Sequence, residues 1–366
     1  MLMNIRIKWS ILAIIIAWMH ISQPSIGQEI CPVLEPYAER VERAVERALE
    51  YFVANQQEDG SFPGRHGGSA GVVSLAGMSF LAAGHTPGKG TYGEVINNCL
   101  DYVLTQQNEE GYIYASGRHD RGMYSHHIST LFMAELSGML DPEREEKIQD
   151  ALARAVRVII SSQEANKRGG HEGGWRYSPT ANDSDLSVSG WALMALRSAR
   201  LNGARVPERN IQKAVEYVLR MQSDRGSFGY QRPGDHHDGR ASLTGLAILC
   251  LSLTGYHDSE PVARARRFLE NNYRNLPGEQ FSLYGVYYCT QAAFQLGGRT
   301  WETIGDWLYQ RYLPRQRDDG SWGGDVGGSH DSERNTPVYN TALVTLALTV
   351  PYRQLPIYQR DETVDE

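Results

Sequence analysis

Acid–base side chains recur just before the apolar segments of this chain. Eight histidines lie in polar loops or in the first turn of an apolar segment: His66, His119, His126, His127, His171, His236, His237 and His330. Aspartates share these positions: Asp120, Asp183, Asp185, Asp235, Asp238, Asp325 and Asp331. Histidine titrates near neutral pH, so that a histidine beside a carboxylate can act as a general acid or base. If the fold brings these loops together, the pattern predicts a site for proton transfer.

Aromatic side chains accompany these groups, and a pocket with aromatic walls and a few convergent polar groups is a typical ligand site. The catalytic candidates are Asp183, Asp185, His126, His127 and Tyr284. The predicted ligand contacts are Tyr124, Trp175, Tyr177, Trp191, His236, Tyr287, Tyr339 and Asn340. No tight spacing such as HExxH indicates a metal, and we predict neither a metal nor a cofactor.

Simpler roles remain open for several of these residues. An aspartate directly before a helix is a common N-cap, which would explain Asp183 or Asp185 without catalysis. Trp175 lies in a glycine turn, where it could pack neighbouring helices together. Only one of His126 and His127 can face a cavity, because they are adjacent at the start of an apolar helix.

Two kinds of segment alternate along the chain. The first kind ends in glutamine, an acidic turn, glycine and an aromatic residue, as in EYFVANQQEDGSF (50–62), DYVLTQQNEEGYI (101–113), EYVLRMQSDRGSF (216–228) and DWLYQRYLPRQRDDGSW (306–322), with looser copies at 158–175 and 265–281. The second kind is apolar and almost uncharged, at 70–84, 124–138, 185–199, 241–255, 283–297 and 336–349. Helices polar on one face lie outside, and helices apolar all round lie inside.

Six such pairs, with no period-two strand pattern, predict an all-α fold, an (α/α)6 toroid with six outer and six inner helices over residues 28–354. An open solenoid of the same helix pairs is the alternative. In a toroid, all loops that precede inner helices meet at one mouth. The short acidic stretch within residues 355–366 is expected to be a disordered tail.

The N-terminus has the features of a secretory signal peptide. Arg6 and Lys8 precede an apolar run at 11–21, and small residues follow before Gln28. We expect cleavage there and a secreted or periplasmic protein, with an uncleaved anchor as the alternative. No later stretch is long and apolar enough to span a bilayer.

The net charge limits the classes of partner that we expect. The net charge of −7 argues against nucleic acid, because such binders need a basic surface. A small molecule or a glycan in a central cavity is the expected partner, and the oligomeric state stays open.

Three cysteines, Cys99, Cys250 and Cys289, lie in apolar stretches typical of buried thiols, although export would allow Cys250 and Cys289 to pair.

The segments QEDGSF and QRDDGSW resemble the repeat motif of squalene cyclases and protein prenyltransferase β subunits. The likeness extends over nearly all of the mature chain and is greatest to exported, single-toroid proteins of the squalene cyclase type. It implies the same toroid but not the activity, because this fold hosts unrelated chemistries.

The family's zinc ligands are not found at the matching positions. The stretch YGVYYCTQAAF resembles the prenyltransferase helix that carries an Asp-x-Cys pair, and it has Tyr284 and Val286 at those two positions. Asn340 stands where a later helix carries histidine. Zinc needs lone-pair donors of this kind, so the resemblance does not imply prenyl transfer.

The acid box of class II terpene cyclases is also incomplete. NDSDLSVSGWAL resembles the DxDD stretch. Without a gap, Ser184 takes the place of the middle acid and only Asp185 matches. With one gap, Asp183 and Asp185 match the first two acids and Leu186 replaces the last.

Three functions therefore remain open on the sequence, which does not decide whether the protein is an enzyme. The first is a cavity that binds or converts an apolar, isoprenoid-like ligand. The second is a carbohydrate-active (α/α)6 lyase or glycosidase, and the third is a non-enzymatic scaffold for protein interaction.

Overall fold

A computed structural model describes residues 33–115, 122–323 and 337–358. Over these ranges the regular structure is helical, with isolated β-bridges and no named strand. The odd-numbered helices are α1 (Ala38–Asn55), α3 (Gly93–Thr105), α5 (Pro142–Gln163), α7 (Glu208–Arg220), α9 (Glu260–Asn272) and α11 (Gly298–Tyr312). The even-numbered helices are α2 (Ala70–Ala82), α4 (Met123–Leu136), α6 (Leu186–Leu201), α8 (Ala241–Leu253), α10 (Ser282–Leu296) and α12 (Pro337–Leu348).

The even-numbered helices form a closed inner ring. Each packs on the next in chain order, and α12 returns to pack on α2. All residues of α2 and α8 are buried, whereas α1 and α7 bury only one stripe of side chains. This arrangement confirms the predicted all-α toroid, and the contact between α12 and α2 excludes the open solenoid.

In five of the six repeats, the glutamine of the repeat motif joins its turn to the next outer helix. The Gln107 side-chain amide donates to the carbonyl of Gly111 at 3.0 Å and to that of Ala151, on α5, at 2.8 Å. Equivalent amide pairs are made by Gln56, Gln163, Gln222 and Gln316. The last of these reaches back to Ala44 on α1 and so closes the outer ring.

The ordered chain continues past residue 354, where the sequence places the end of the domain. Leu355, Ile357 and Tyr358 are buried, and Pro356–Tyr358 forms a short 3₁₀ helix against α6. Apolar side chains at 355 and 357 explain this packing, because the acidic residues begin only at Asp361.

The cysteine thiols of the inner helices are not bridged. Cys250 and Cys289 are free and buried, and the Cys289 thiol donates to the Ala241 carbonyl oxygen at 3.2 Å.

None of the helices in the described ranges is long and apolar enough to cross a membrane.

Candidate functional site

A cavity of about 380 Å³ lies where the inner helices begin. Each of the six contributes residues of its N-terminal end, among them Ser69, Ser125, Ser187, Ser242, Tyr284 and Tyr339. The N-terminal ends of the inner helices therefore meet around one cavity. His119, Asp120, Asp325, His330 and Asp331, which belong to the same predicted mouth, lie outside the described residues.

The wall of the cavity is largely apolar and rich in tyrosine. Its apolar members are Val72, Leu75, Ile128, Leu243, Leu246 and Phe281. Its tyrosines are Tyr124, Tyr177, Tyr230, Tyr284, Tyr288 and Tyr339. A wall of this kind removes apolar ligand surface from water while leaving hydroxyl groups to orient a polar part.

The ionisable lining is basic. Arg176, Arg240, His66 and His237 reach the cavity, and no carboxylate among the described residues lines it. Arg240 directly precedes α8, and within the described ranges its guanidinium pairs with no carboxylate. Glu279 instead caps that helix, accepting the Ala241 amide at 2.7 Å and the Ser242 amide at 3.3 Å. Arg240 thus brings a positive charge to the cavity wall.

Arg176, the other arginine of the cavity wall, is held by two tyrosine rings and two carboxylates. Its guanidinium carbon lies 4.5 Å from the centre of the Tyr177 ring and 5.4 Å from that of Tyr230. Its nitrogens lie 3.1 Å from the Asp185 carboxylate and 3.5 Å from that of Asp183. The two predicted acids therefore position an arginine at the cavity wall and do not themselves line it.

Asp185 is fully buried as the N-cap of α6. Its carboxylate accepts the Val188 amide at 2.9 Å and the Ser187 hydroxyl at 2.7 Å. Burial raises the pKa of Asp185, while these hydrogen bonds and Arg176 oppose that shift. Ser187 lies 2.5 Å from the Tyr124 hydroxyl, so Asp185 is connected to the cavity through two hydroxyl groups.

The adjacent histidines of α4 are internal, which corrects the expectation that one of them faces the cavity. His126 accepts the Ile113 amide at 3.1 Å, and its other ring nitrogen lies 3.1 Å from the Ala155 carbonyl. Burial lowers its pKa to about 4. His127 is equally buried, packs against the Trp175 ring at 6.1 Å, and has its pKa lowered well below the usual range by burial. Both rings are neutral packing elements between α4 and its neighbours.

Several predicted ligand contacts also lie away from the cavity wall. Trp175 is buried in its glycine turn, where its indole donates to the Ile159 carbonyl at 2.8 Å. Asn340 is completely buried, and the His236 ring lies 3.8 Å from the His237 ring at a tilt of 43° without reaching the lining. Trp175 and Asn340 fill the space between the outer and inner rings, whereas His236 is exposed in the loop before α8.

Two further aromatic predictions lie one layer below the cavity. Trp191 and Tyr287 are buried and stack at 5.7 Å with their ring planes 9° apart. The Trp191 indole donates to the Tyr284 hydroxyl on the cavity wall. They support the wall from behind rather than touch its contents.

Ser184, at the position of the cyclase acid, has a structural role. It is buried, and its hydroxyl donates to the His171 carbonyl at 2.8 Å while its amide donates to the His171 ring at 3.0 Å. No acid therefore occupies that position, and His171 stabilises the loop by accepting these two hydrogen bonds.

The lining also contains residues that sequence reasoning missed, namely Arg176, Arg240, Tyr230 and Tyr288. Repeat alignment contained the signal for three of them. Tyr230 follows the turn of GSFGY as Tyr177 follows that of GGWRY, and Tyr288 lies one turn after Tyr284. Arg240 precedes α8 as Asp185 precedes α6.

The fold and this cavity define an all-α toroid with a ligand-sized chamber at the mouth of its inner ring. Residues 123–323, more than half of the chain, match the prenyltransferase alpha-alpha toroid domain. The chain belongs to that family, as the repeat motif suggested. No curated protein sequence gives a significant match.

Solved structures of the type II terpene cyclase MstE from Scytonema are similar to it in fold. A ligand-free variant has a TM-score of 0.55 at 15% identity, covering 88% of this chain and 100% of that one. A variant in complex with geranylgeranyl dihydroxybenzoate, its substrate, has a TM-score of 0.52 at 12% identity with 88% and 100% coverage. At such identity the likeness establishes the fold and leaves the activity to the site.

Proposed function

We propose that this protein binds an amphipathic ligand with an isoprenoid-like chain in its central cavity and a negatively charged or strongly polar head at the mouth. The observation that carries the proposal is the pairing of an apolar, tyrosine-rich wall with Arg176 and Arg240. The similar fold of a cyclase whose substrate joins a geranylgeranyl chain to a dihydroxybenzoate head supports the same choice.

The charge pattern favours this ligand over a neutral hydrocarbon. The N-terminal ends of the inner helices surround the mouth, and each carries a partial positive charge. Arg240 adds a full charge without a carboxylate partner in the described ranges. A hydrocarbon would supply no anion to this arginine, whereas a phosphate or carboxylate head would pair with it.

If the bound ligand is converted, Tyr124 is the group that we expect to exchange a proton with it. The Ser187 hydroxyl donates to Asp185, so the Tyr124 hydroxyl donates to Ser187. Tyr124 can therefore take a proton from the ligand by passing its own hydroxyl proton through Ser187 to Asp185. A relay in this direction favours removal of a proton from the ligand over protonation of an alkene. The residues at the family's zinc positions supply no thiolate, carboxylate or imidazole.

Export forms part of the proposal, because residues 1–27 have the composition of a signal peptide. Mass spectrometry of the protein recovered from its native host should give a mature N-terminus at Gln28. An intact N-terminus at Met1 would instead support the uncleaved anchor.

The contribution of the charged head group to binding can be tested with two probes that have the same geranylgeranyl chain. We expect geranylgeranyl diphosphate to bind the mature protein more tightly than geranylgeraniol in isothermal titration calorimetry. Arg240→Ala should weaken diphosphate binding by roughly 10- to 100-fold, the range for losing a hydrogen bond to a charged group, and leave the alcohol unaffected.

Arg232→Ala is the matched control, because Arg232 is an exposed arginine in the loop before the same helix and does not line the cavity. Equal binding of both probes by the wild type would remove the head-group part of the proposal. Binding of neither probe, together with binding of an oligosaccharide, would favour the carbohydrate function.

A further inference from the structure

The C-terminal segment, residues 355–358, packs at the end of the ring opposite the mouth. Its apolar side chains Leu355, Ile357 and Tyr358 are buried. The Tyr358 hydroxyl bonds to that of Tyr287 on α10, and its carbonyl accepts the Gln295 amide at 3.0 Å. The segment is thus anchored along α10, from Tyr287 near the middle of the helix to Gln295 near its C-terminal end.

One residue of this segment, Ile357, is held from both sides by buried ionisable side chains. The Ile357 amide donates to the Glu135 carboxyl of α4 at 3.2 Å, and the Ile357 carbonyl accepts from Arg197 of α6 at 2.6 Å. Glu135 is 1% exposed and Arg197 is 6% exposed. Ser198 also donates to Glu135. An acid has therefore been placed where water cannot solvate its ionised form.

We propose that residues 355–358 form a proton-controlled closure of this end of the toroid, bound most firmly while Glu135 is protonated and released as Glu135 ionises. The proposal does not depend on the ligand of the cavity.

Two effects disfavour a negative charge at Glu135. The residue lies in the last turn of α4, where the helix dipole is negative, and it is buried. The groups that face it are Arg197 and Ser198 on α6, Tyr287 on α10 and Tyr358 on the segment itself. Ser198, the Ile357 amide of the segment and Arg197 favour the carboxylate, but burial outweighs them together and raises the pKa of Glu135 from 4.5 to about 7.

The raised pKa of Glu135 decides whether the closure is lost at high or at low pH. The closed form binds the Glu135 proton more tightly than an open form, in which the carboxyl is solvated and has its ordinary pKa. The stability of the closure is therefore complete below the ordinary pKa and is lost as pH rises through the raised one.

Release would expose the aromatic stack beneath the cavity. Tyr287 loses its partner Tyr358, and Tyr287 stacks on Trp191, which bonds to Tyr284 on the cavity wall.

Hydrogen exchange of the Ile357 amide reports the closure directly, because that amide donates to Glu135. In the full mature chain we expect its protection factor to fall on the order of 50-fold between about pH 5 and pH 8. Glu135→Gln, which is neutral at both values, should keep its protection constant. Glu146→Gln, an exposed glutamate on α5, should retain the wild-type pH dependence.

Ser198→Ala provides a second variant if Glu135→Gln does not fold. Losing a donor to the carboxylate should move the midpoint of release to higher pH. Constant protection in the wild type, or an unchanged pH dependence in Glu135→Gln, would overturn the proposal.

Discussion

Gly320→Ala should destabilise the protein by about 3–5 kcal/mol, the larger of two large effects that we expect. Gly320 has a φ of +87°, in the left-handed region that L side chains rarely adopt. A Cβ there would also lie 2.1 Å from the carbonyl oxygen of Arg47 on α1. That oxygen belongs to helical backbone at the point where the last repeat meets the first, so relief requires the ring to open. Urea unfolding of the mature chain would measure the loss.

Gly203→Ala separates backbone strain from the clash. Gly203 has the same φ of +87°, but no atom lies within 4 Å of its added Cβ. Only the conformational cost should remain, about 1–2 kcal/mol. Equal losses for the two variants would show that the close approach at the ring closure contributes nothing.

Asp185→Ala should cost about 2–4 kcal/mol in the free energy of unfolding. The substitution removes the N-cap of α6 and the acceptor of the Ser187 hydroxyl, and it leaves Arg176 without its nearer carboxylate. The estimate is below that for a fully buried pair, because the Arg176 side chain is 21% exposed and water can partly solvate it. Thermal and urea unfolding would both report the change.

Asp183→Ala is the comparison within the same acidic loop. Asp183 is 40% exposed and lies 3.5 Å from Arg176, so its loss should cost less than about 1 kcal/mol. Asp185→Asn should lie between the two, since an amide oxygen can still cap the helix. Similar losses for Asp183→Ala and Asp185→Ala would contradict the capping role.

The acidic loop shows why sequence patterns identified the region but not the roles. Asp183 and Asp185 both match a catalytic box, and both lie before an inner helix. Only the packing distinguishes them, because one carboxylate is buried beneath Ser187 and the other faces solvent. Neither lines the cavity, and the arginine between Trp175 and Tyr177 does.

Packing also decided the roles of the two adjacent histidines of α4. His126 and His127 carry the side chains expected of an acid–base site, but both are neutral and enclosed. His126 accepts the turn amide of Ile113, as Ser189 accepts that of Trp175 and Thr341 that of Trp322. An imidazole, a serine and a threonine are thus equivalent here as hydrogen-bond acceptors, which residue type alone does not reveal.

The sequence by itself determined the alternation of amphipathic and apolar helices, their turns and their number of pairs. These features are local, because a helical period, a glycine turn and a glutamine at a fixed spacing each act within one repeat and its neighbour. The repeats also placed the loops of the inner helices at a common mouth.

Only the tertiary structure decided which side chains line the cavity at that mouth. Lining depends on the rotation of each inner helix and on what fills the space behind it, and both are set by contacts between residues far apart in sequence. The close approach of Gly320 to Arg47 and the hold of Glu135 and Arg197 on Ile357 are of this kind. Such contacts arise when the ring closes, so no single repeat encodes them.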